Sequence, residues 1–268
     1  MNFIVGAAMY SETLSTYAEW IIADQRDLEL ADAIFPAVLD NDSSGMVTEI
    51  NAMLDGFTGR LGIHGPFRSL PLDAYDPAIR AVVQNRLKQG LEFANAIGAT
   101  HMVVHSPFAA LGHYRPDQAA FVMKNARETL AEVVPVAEQA GCTLVIETIF
   151  DYNPTTLLEF VRSFDSDFVK MSIDVGHVFI MHTALDAPPP DYYVHAAGAD
   201  LGHLHLQDTD GYTDRHWIPG DGNVNWQELF AALAQLDHTP RLIIEVDTKK
   251  GHDPRLAAKY FESIGVAR

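Results

Sequence analysis

The chain has 268 residues, 48% of them hydrophobic, enough for one large barrel or two smaller domains. Its 18 basic against 36 acidic side chains give a formal charge of −18, which argues against a nucleic-acid partner, because phosphate neutralisation dominates such affinity. No apolar run approaches the ~20 residues that a bilayer span needs, and the single cysteine excludes an intrachain disulfide and thiolate zinc sites, so a cytoplasmic location is expected.

The first segment, MNFIVGAAMYSE, lacks a basic n-region and reads as a strand over 3–8 rather than a signal peptide. Further strands are predicted at 28–35, 60–67, 101–107, 143–149, 169–175, 201–207 and 241–247. Between them lie helical patterns, clearest over 76–98 and 116–141. Both carry apolar residues at three- and four-residue spacing, end at a glycine, and open with Pro77 or Pro116 in the first turn. Cys142, in the turn EQAGCT, reads as a buried free thiol. The stretch DAPPPDYY (186–193) is too stiff for a helix and reads as a loop over the barrel mouth or at a subunit contact of a homo-oligomer. Asn225 with Glu228 resembles a capping box opening the next helix. Eight βα units without a composition break predict one (β/α)₈ TIM barrel over 1–268. An open doubly wound sheet fits worse, because no G-x-G-x-x-G follows the first strand.

Nine metal-seeking side chains sit at or just beyond strand ends: His64, His105, Glu147, Asp174, His177, His205, Asp214, His216 and Glu245. Barrel strands bring these ends together at the catalytic face. Within LGHLHLQ, alternation puts His203 and His205 on the interior side and Leu204 and Leu206 toward the helices. His205, nearer the mouth, is taken as the ligand, with His203 as a hydrogen-bonded residue one layer deeper. Converging carboxylates and imidazoles would repel and pay desolvation without a cation. Glu147, Asp174, His205 and Glu245 make a three-carboxylate, one-imidazole set suited to Mn²⁺, Mg²⁺ or Co²⁺. The other five make the site nitrogen-rich, which favours Zn²⁺ and more than one ion, or else they form a substrate-binding rim. The remaining histidines, His101, His113, His182, His195, His203, His238 and His252, are read as ordinary. Phe67, Phe108 and Phe150 each follow a candidate ligand by three residues, and Phe179 and Trp217 follow two others closely. Their faces suit the C–H surface of a sugar; packing at the rim is the alternative.

The segments IHGPF, VVHSPF, IETIF, DVGHVF, HLHLQD, DRHWIPGDGNVNW and IEVD resemble, in order and spacing, the xylose isomerase-like TIM-barrel superfamily, which includes sugar isomerases, sugar epimerases and the endonuclease IV family. That resemblance implies a single-metal set of Glu147, Asp174, His205 and Glu245, the two glutamates serving as acid and base on opposite sides of a substrate and His177 touching a substrate oxygen. All nine residues equally match the trinuclear zinc site of endonuclease IV. FRSLPL after His64 and the acidic PAVLDNDSS loop depart from the endonuclease pattern, and the only basic candidates are scattered: Arg68, Arg115, Arg215, Lys249 and Lys250. The arginine that the epimerases place soon after the equivalent of His205 comes later here, as Arg215, and is assigned with Phe67, Phe108 and Trp217 to substrate contact. The expectation is a divalent-metal-dependent isomerase or epimerase of a small sugar-like hydroxy-carbonyl compound. A multinuclear zinc phosphoesterase is the alternative, and a non-catalytic sugar or metal sensor the third reading.

Overall fold

Eight parallel strands pair in chain order, and the eighth closes on the first, giving a single (β/α)₈ barrel. The computed structural model describes residues 3–108 and 116–268. The strands are β1 Gly6–Met9, β2 Leu28–Leu30, β3 Leu61–His64, β4 His101–His105, β5 Thr143–Glu147, β6 Val169–Asp174, β7 Leu201–Leu206 and β8 Arg241–Ile244. Alternation divides each strand between helix layer and barrel interior. Leu28, Leu30, Leu204, Leu206, Leu242 and Ile244 are fully buried in the hydrophobic cluster shared with the helices, each contributing about 1.5–3 kcal/mol. The intervening positions, Glu29, His101, Val103, His203 and Ile243, point into the barrel and are also fully buried.

Register decides which interior residues become neighbours. His105 pairs with Glu147 across β4 and β5, and Asp174 with His205 across β6 and β7. Below them, Glu29 pairs with Gly62, Gly62 with His101, and Ser172 with His203.

Three local expectations are corrected. The predicted strand 28–35 stops at Leu30, because Asp32 accepts hydrogen bonds from Ser11 N (2.9 Å) and Oγ (2.7 Å) and residues Asp32–Ile34 curl into a 3₁₀ turn. The helix predicted over 116–141 is two helices, Pro116–Ala131 and Val134–Ala140. Pro135 has no N–H for the ladder and its ring collides with the carbonyl one turn back. DAPPPDYY is not all loop: Pro190 opens the helix Pro190–Ala197, where a missing N–H costs nothing, and Tyr193 is buried with its hydroxyl donating to Asp151 O (2.9 Å). The cap on Trp226–Leu233 is as expected, with Glu228 N donating to Asn225 Oδ1 (3.3 Å). Cys142 is buried, and burial pushes its thiol up to about 12. No helix among the described residues is long and apolar enough to cross a membrane.

Candidate metal and active site

Strand ends and two short segments build the site. Asp174 closes β6 and caps the helix Val175–Leu185, accepting from His177 N at 2.7 Å, so one residue serves both the cap and the site. Asp208, just past β7, organises the loop that carries Asp214 and His216. It accepts from Thr209 N, Gly220 N, Val224 N and the Trp226 indole at 2.8–3.2 Å. His216 takes a left-handed backbone (φ 48°), uncommon for a residue other than glycine. Its N–H donates to Gln207 Oε1 (3.1 Å).

All nine candidates meet at the barrel mouth in one connected network. His205 Nδ1 lies 2.6 Å from Glu147 Oε1 and 3.4 Å from Glu245 Oε2. Glu147 Oε2 is 3.4 Å from His105 Nε2 and 3.8 Å from His64 Nε2. His177 Nε2 is 3.3 Å from Asp214 Oδ2, and His216 Nε2 is 3.1 Å from Asp214 Oδ1. His216 Nδ1 stands 3.5 Å from Glu245 Oε2, which joins the two groups, and Asp174 Oδ1 lies 3.6 Å from His177 Nδ1. The other ring nitrogen of several histidines is tied to the backbone. His64 Nδ1 pairs with Gly65 O (2.9 Å), His177 Nδ1 with Thr148 O (3.1 Å) and His216 Nδ1 with Glu245 O (3.1 Å), leaving Nε2 to the cavity.

Burial and charge oppose one another throughout. Burial lifts the Asp174 carboxyl to about 6, with Glu147, Glu245 and Asp214 adding to the rise against His177. Burial would lower His177 and His216, but Asp174 and Asp214 around the first, and Glu245 and Asp214 around the second, hold each at about 10. Burial pushes His105 down to about 3, against the pull of Glu147. Glu147 would rise on burial, yet the His205 imidazole holds it well below the carboxylate range.

Two observations test whether a cation fits. Glu147 Oε2 and Asp174 Oδ2 are buried and accept no hydrogen bond, an arrangement that costs each oxygen its solvation without a partner. Ligand atoms of Glu147, Asp174, His205 and Glu245 all lie within 4.8 Å of one another; so do those of His64, His105 and Glu147, and those of His177, Asp214 and His216. Oxygen-rich and nitrogen-rich sets thus share one mouth, and the first fits a hard divalent ion.

The network floors a cavity of about 260 Å³, lined also by Tyr10, Ile34, Phe67, Arg68, Ile149 and Phe150. Phe67 stacks on His105 (centroids 4.1 Å apart) and Phe150 leans on His177 (5.2 Å). Phe108 is placed differently from the expectation: it is buried with its ring edge-on to Phe160, in the hydrophobic core rather than the cavity wall. Arg215 borders an adjoining cavity of about 230 Å³, is ion-paired to Asp210 (2.7 Å), and lies over the Trp217 ring. Phe179 packs against the core. Arg115 and His113 lie outside the described residues.

Sequence reasoning missed Glu29 and Gln207. Gln207 Nε2 donates to Asp174 Oδ1 (3.2 Å) and Asp214 Oδ1 (2.9 Å), and Gly176 leaves room for it, since a Cβ there would come within 2.3 Å of the Gln207 amide. Its spacing of two from His205 was the available signal. Glu29 lies at the barrel centre, 2.9 Å from His205 Nε2. Its signal was a charged residue between two leucines of a strand. His101 and His203, read as ordinary, flank it.

Comparison with known proteins agrees with this architecture. D-psicose 3-epimerase of Ruminiclostridium cellulolyticum is 29% identical over 213 residues, 74% of this chain and 66% of that protein. Fructoselysine 3-epimerase of Escherichia coli O157:H7 is 24% identical over 190 residues, 69% of this chain and 66% of that protein. The chain therefore spans about two thirds of the length of these relatives. A structure of the TTHB071 protein from Thermus thermophilus, soaked with ZnCl₂, superposes with a TM-score of 0.75 at 27% identity, covering 98% of each chain. The profile of the xylose isomerase-like TIM barrel matches residues 25–265, and the chain belongs to that family.

Proposed function

We propose that the protein is a divalent-metal-dependent isomerase or epimerase of a small sugar or polyol-type hydroxy-carbonyl compound. The sugar 3-epimerases among its relatives support the substrate class. The observation that carries the reading is the pair Glu147 and Glu245 converging on one nitrogen of His205, beside carboxylate oxygens that lack any donor. Glu147, Asp174, His205 and Glu245 would hold Mn²⁺, Mg²⁺, Co²⁺ or Zn²⁺, which when bound polarises adjacent carbonyl and hydroxyl oxygens and acidifies the C–H between them. Glu147 removes a proton from that carbon and Glu245 returns one, or the reverse. His177, Asp214 and His216 face substrate hydroxyls. Phe67 and Phe150 cover the sugar's C–H surface and keep water from the reacting carbon.

Glu147→Gln and Glu245→Gln each lower turnover by about 10²–10⁴-fold while the substrate still binds. The measurement is solvent deuterium incorporation at the substrate carbon, and wild-type incorporation in either variant sinks the assignment. A second reading, a multinuclear zinc hydrolase of a small phosphoester, draws on the His64–His105–Glu147 and His177–Asp214–His216 sets. Elemental analysis of protein purified without added metal separates the two. Two or three zinc ions per chain, about 3.5–4 Å apart, favour hydrolysis; one manganese or magnesium favours the isomerase.

A further inference from the structure

His205 is held differently from the other histidines of the mouth. His64, His177 and His216 lean on backbone carbonyls through Nδ1 and offer Nε2. His205 is reversed: Nδ1 faces Glu147 and Glu245, and Nε2 lies 2.9 Å from Glu29 Oε1. Its far nitrogen therefore meets a carboxylate, a stronger acceptor than a carbonyl.

That carboxylate is unfavourable to place in a barrel interior. Glu29 has no solvent exposure, and a carboxylate buried there needs hydrogen-bond donors to offset its lost hydration. The barrel commits three histidines to it. His101 Nε2 and His203 Nε2 each stand 3.1 Å from Glu29 Oε2, on the opposite oxygen from His205. Ser172 Oγ sits 2.7 Å from His203 Nδ1 and holds that ring, whose Nε2 lies close to Glu29 without making a hydrogen bond to it. The backbone is shaped around the same group. A Cβ on Gly62 would fall 1.9–2.2 Å from three atoms of the His101 ring, so only glycine leaves that ring its place. A leucine at position 29 would fill the space without any of these partners.

We propose that Glu29 is a positioning residue for the metal-site imidazole. It holds the His205 hydrogen on Nε2, turns the Nδ1 lone pair to the mouth, and raises that nitrogen's strength as a ligand, while His101 holds the carboxylate from behind and His203 packs beside it. The inference rests on the metal-site reading proposed above. Carboxylates behind ligating histidines act in this way, and their loss typically costs 10–100-fold in metal affinity.

The test uses Mn²⁺ titrations of chelator-treated full-length protein, followed by EPR, on wild type, Glu29→Gln and Asp174→Asn. The expected result is binding by wild type, loss of it in Asp174→Asn, and a 10–100-fold weaker dissociation constant in Glu29→Gln with the fold retained by circular dichroism. A Glu29→Gln affinity within twofold of wild type overturns the inference while the metal site stands. Equal weak binding by wild type and Asp174→Asn overturns the metal-site reading itself, and the inference with it. A second measurement needs no change at position 29: ¹⁵N NMR of the Zn²⁺-loaded, histidine-labelled wild type, with His205 assigned by difference from His205→Gln. The inference expects hydrogen on Nε2 and the ligand bond at Nδ1; hydrogen on Nδ1 overturns it, even if Glu29→Gln fails to fold.

Discussion

Asp174→Asn should stabilise the metal-free protein and cancel its response to metal. Asp174 Oδ1 accepts from His177 N (2.7 Å) and Gln207 Nε2 (3.2 Å), and an amide oxygen keeps both bonds and the helix cap. Oδ2 is buried without a donor, and in the variant this position becomes an NH₂ group. The folded carboxyl is raised from 3.8 to about 6, mainly by burial. A raised pKa means that the contribution is fully present below pH 3.8 and is lost as pH climbs through about 6, so wild type carries the cost of ionisation above that point. Two pKa units correspond to roughly 3 kcal/mol. An unpaired amide returns about 1 kcal/mol of that. The variant is therefore more stable by about 2 kcal/mol at pH 8 in chelator, near ~5 °C in Tm, and no more stable than wild type at pH 4. Saturating Mn²⁺ reverses the order. Wild type gains about 2.7 kcal/mol at a hundredfold excess over Kd, whereas losing one anionic ligand of a divalent ion removes about 8 kcal/mol of attraction even at ~4 Å and leaves the variant unmoved. Calorimetry at pH 4 and pH 8, in EDTA and in Mn²⁺, reads all four conditions. A lower Tm for the variant in EDTA at pH 8, or an equal rise with Mn²⁺, would refute the reasoning.

The packing around the deeper carboxylate predicts that Gly62→Ala displaces the His101 ring and costs about 3 kcal/mol or more. Gly45→Ala, with nothing within 4 Å in the helix Ser44–Met53, should instead stabilise by about 0.5–1 kcal/mol; urea unfolding of both checks the contrast. Asp208→Asn turns one of two doubly used acceptors into a donor, so the loop bearing Asp214 and His216 should loosen, at about 1–3 kcal/mol for each donor left unmet. Hydrogen exchange of the Gly220 and Val224 amides measures that directly, and unchanged protection would show that Asp208 is not what holds the loop.

Much of this architecture was legible in the chain. The period-two pattern of LGHLHLQ correctly put His203 and His205 on one side, and the leucines are buried in the helix-facing core. The same pattern held Glu29 in plain view in DLEL. Its role is not local, because its partners lie 72 and 176 residues away, beyond any local motif. Phe108 shows the opposite failure: its spacing after His105 matched that of Phe67 and Phe150, yet its ring turns into the core against Phe160. Spacing gives the residue a place on the rim and says nothing of the rotamer. Pro190 and Pro135 misled in complementary ways, because a proline starts one helix as readily as it ends another.

What the sequence alone determined is the list of chemically competent strand ends and the alternation that separates barrel interior from helix layer, both properties of local periodicity. Which nitrogen of each histidine faces the mouth, which carboxylate oxygens are left without donors, and which acid stands behind His205 were decided only by closure of the barrel. Closure pairs β8 with β1 and brings Glu29, Glu147 and Glu245 around one imidazole. Those contacts depend on register and rotamer between distant segments, quantities that a linear pattern does not contain.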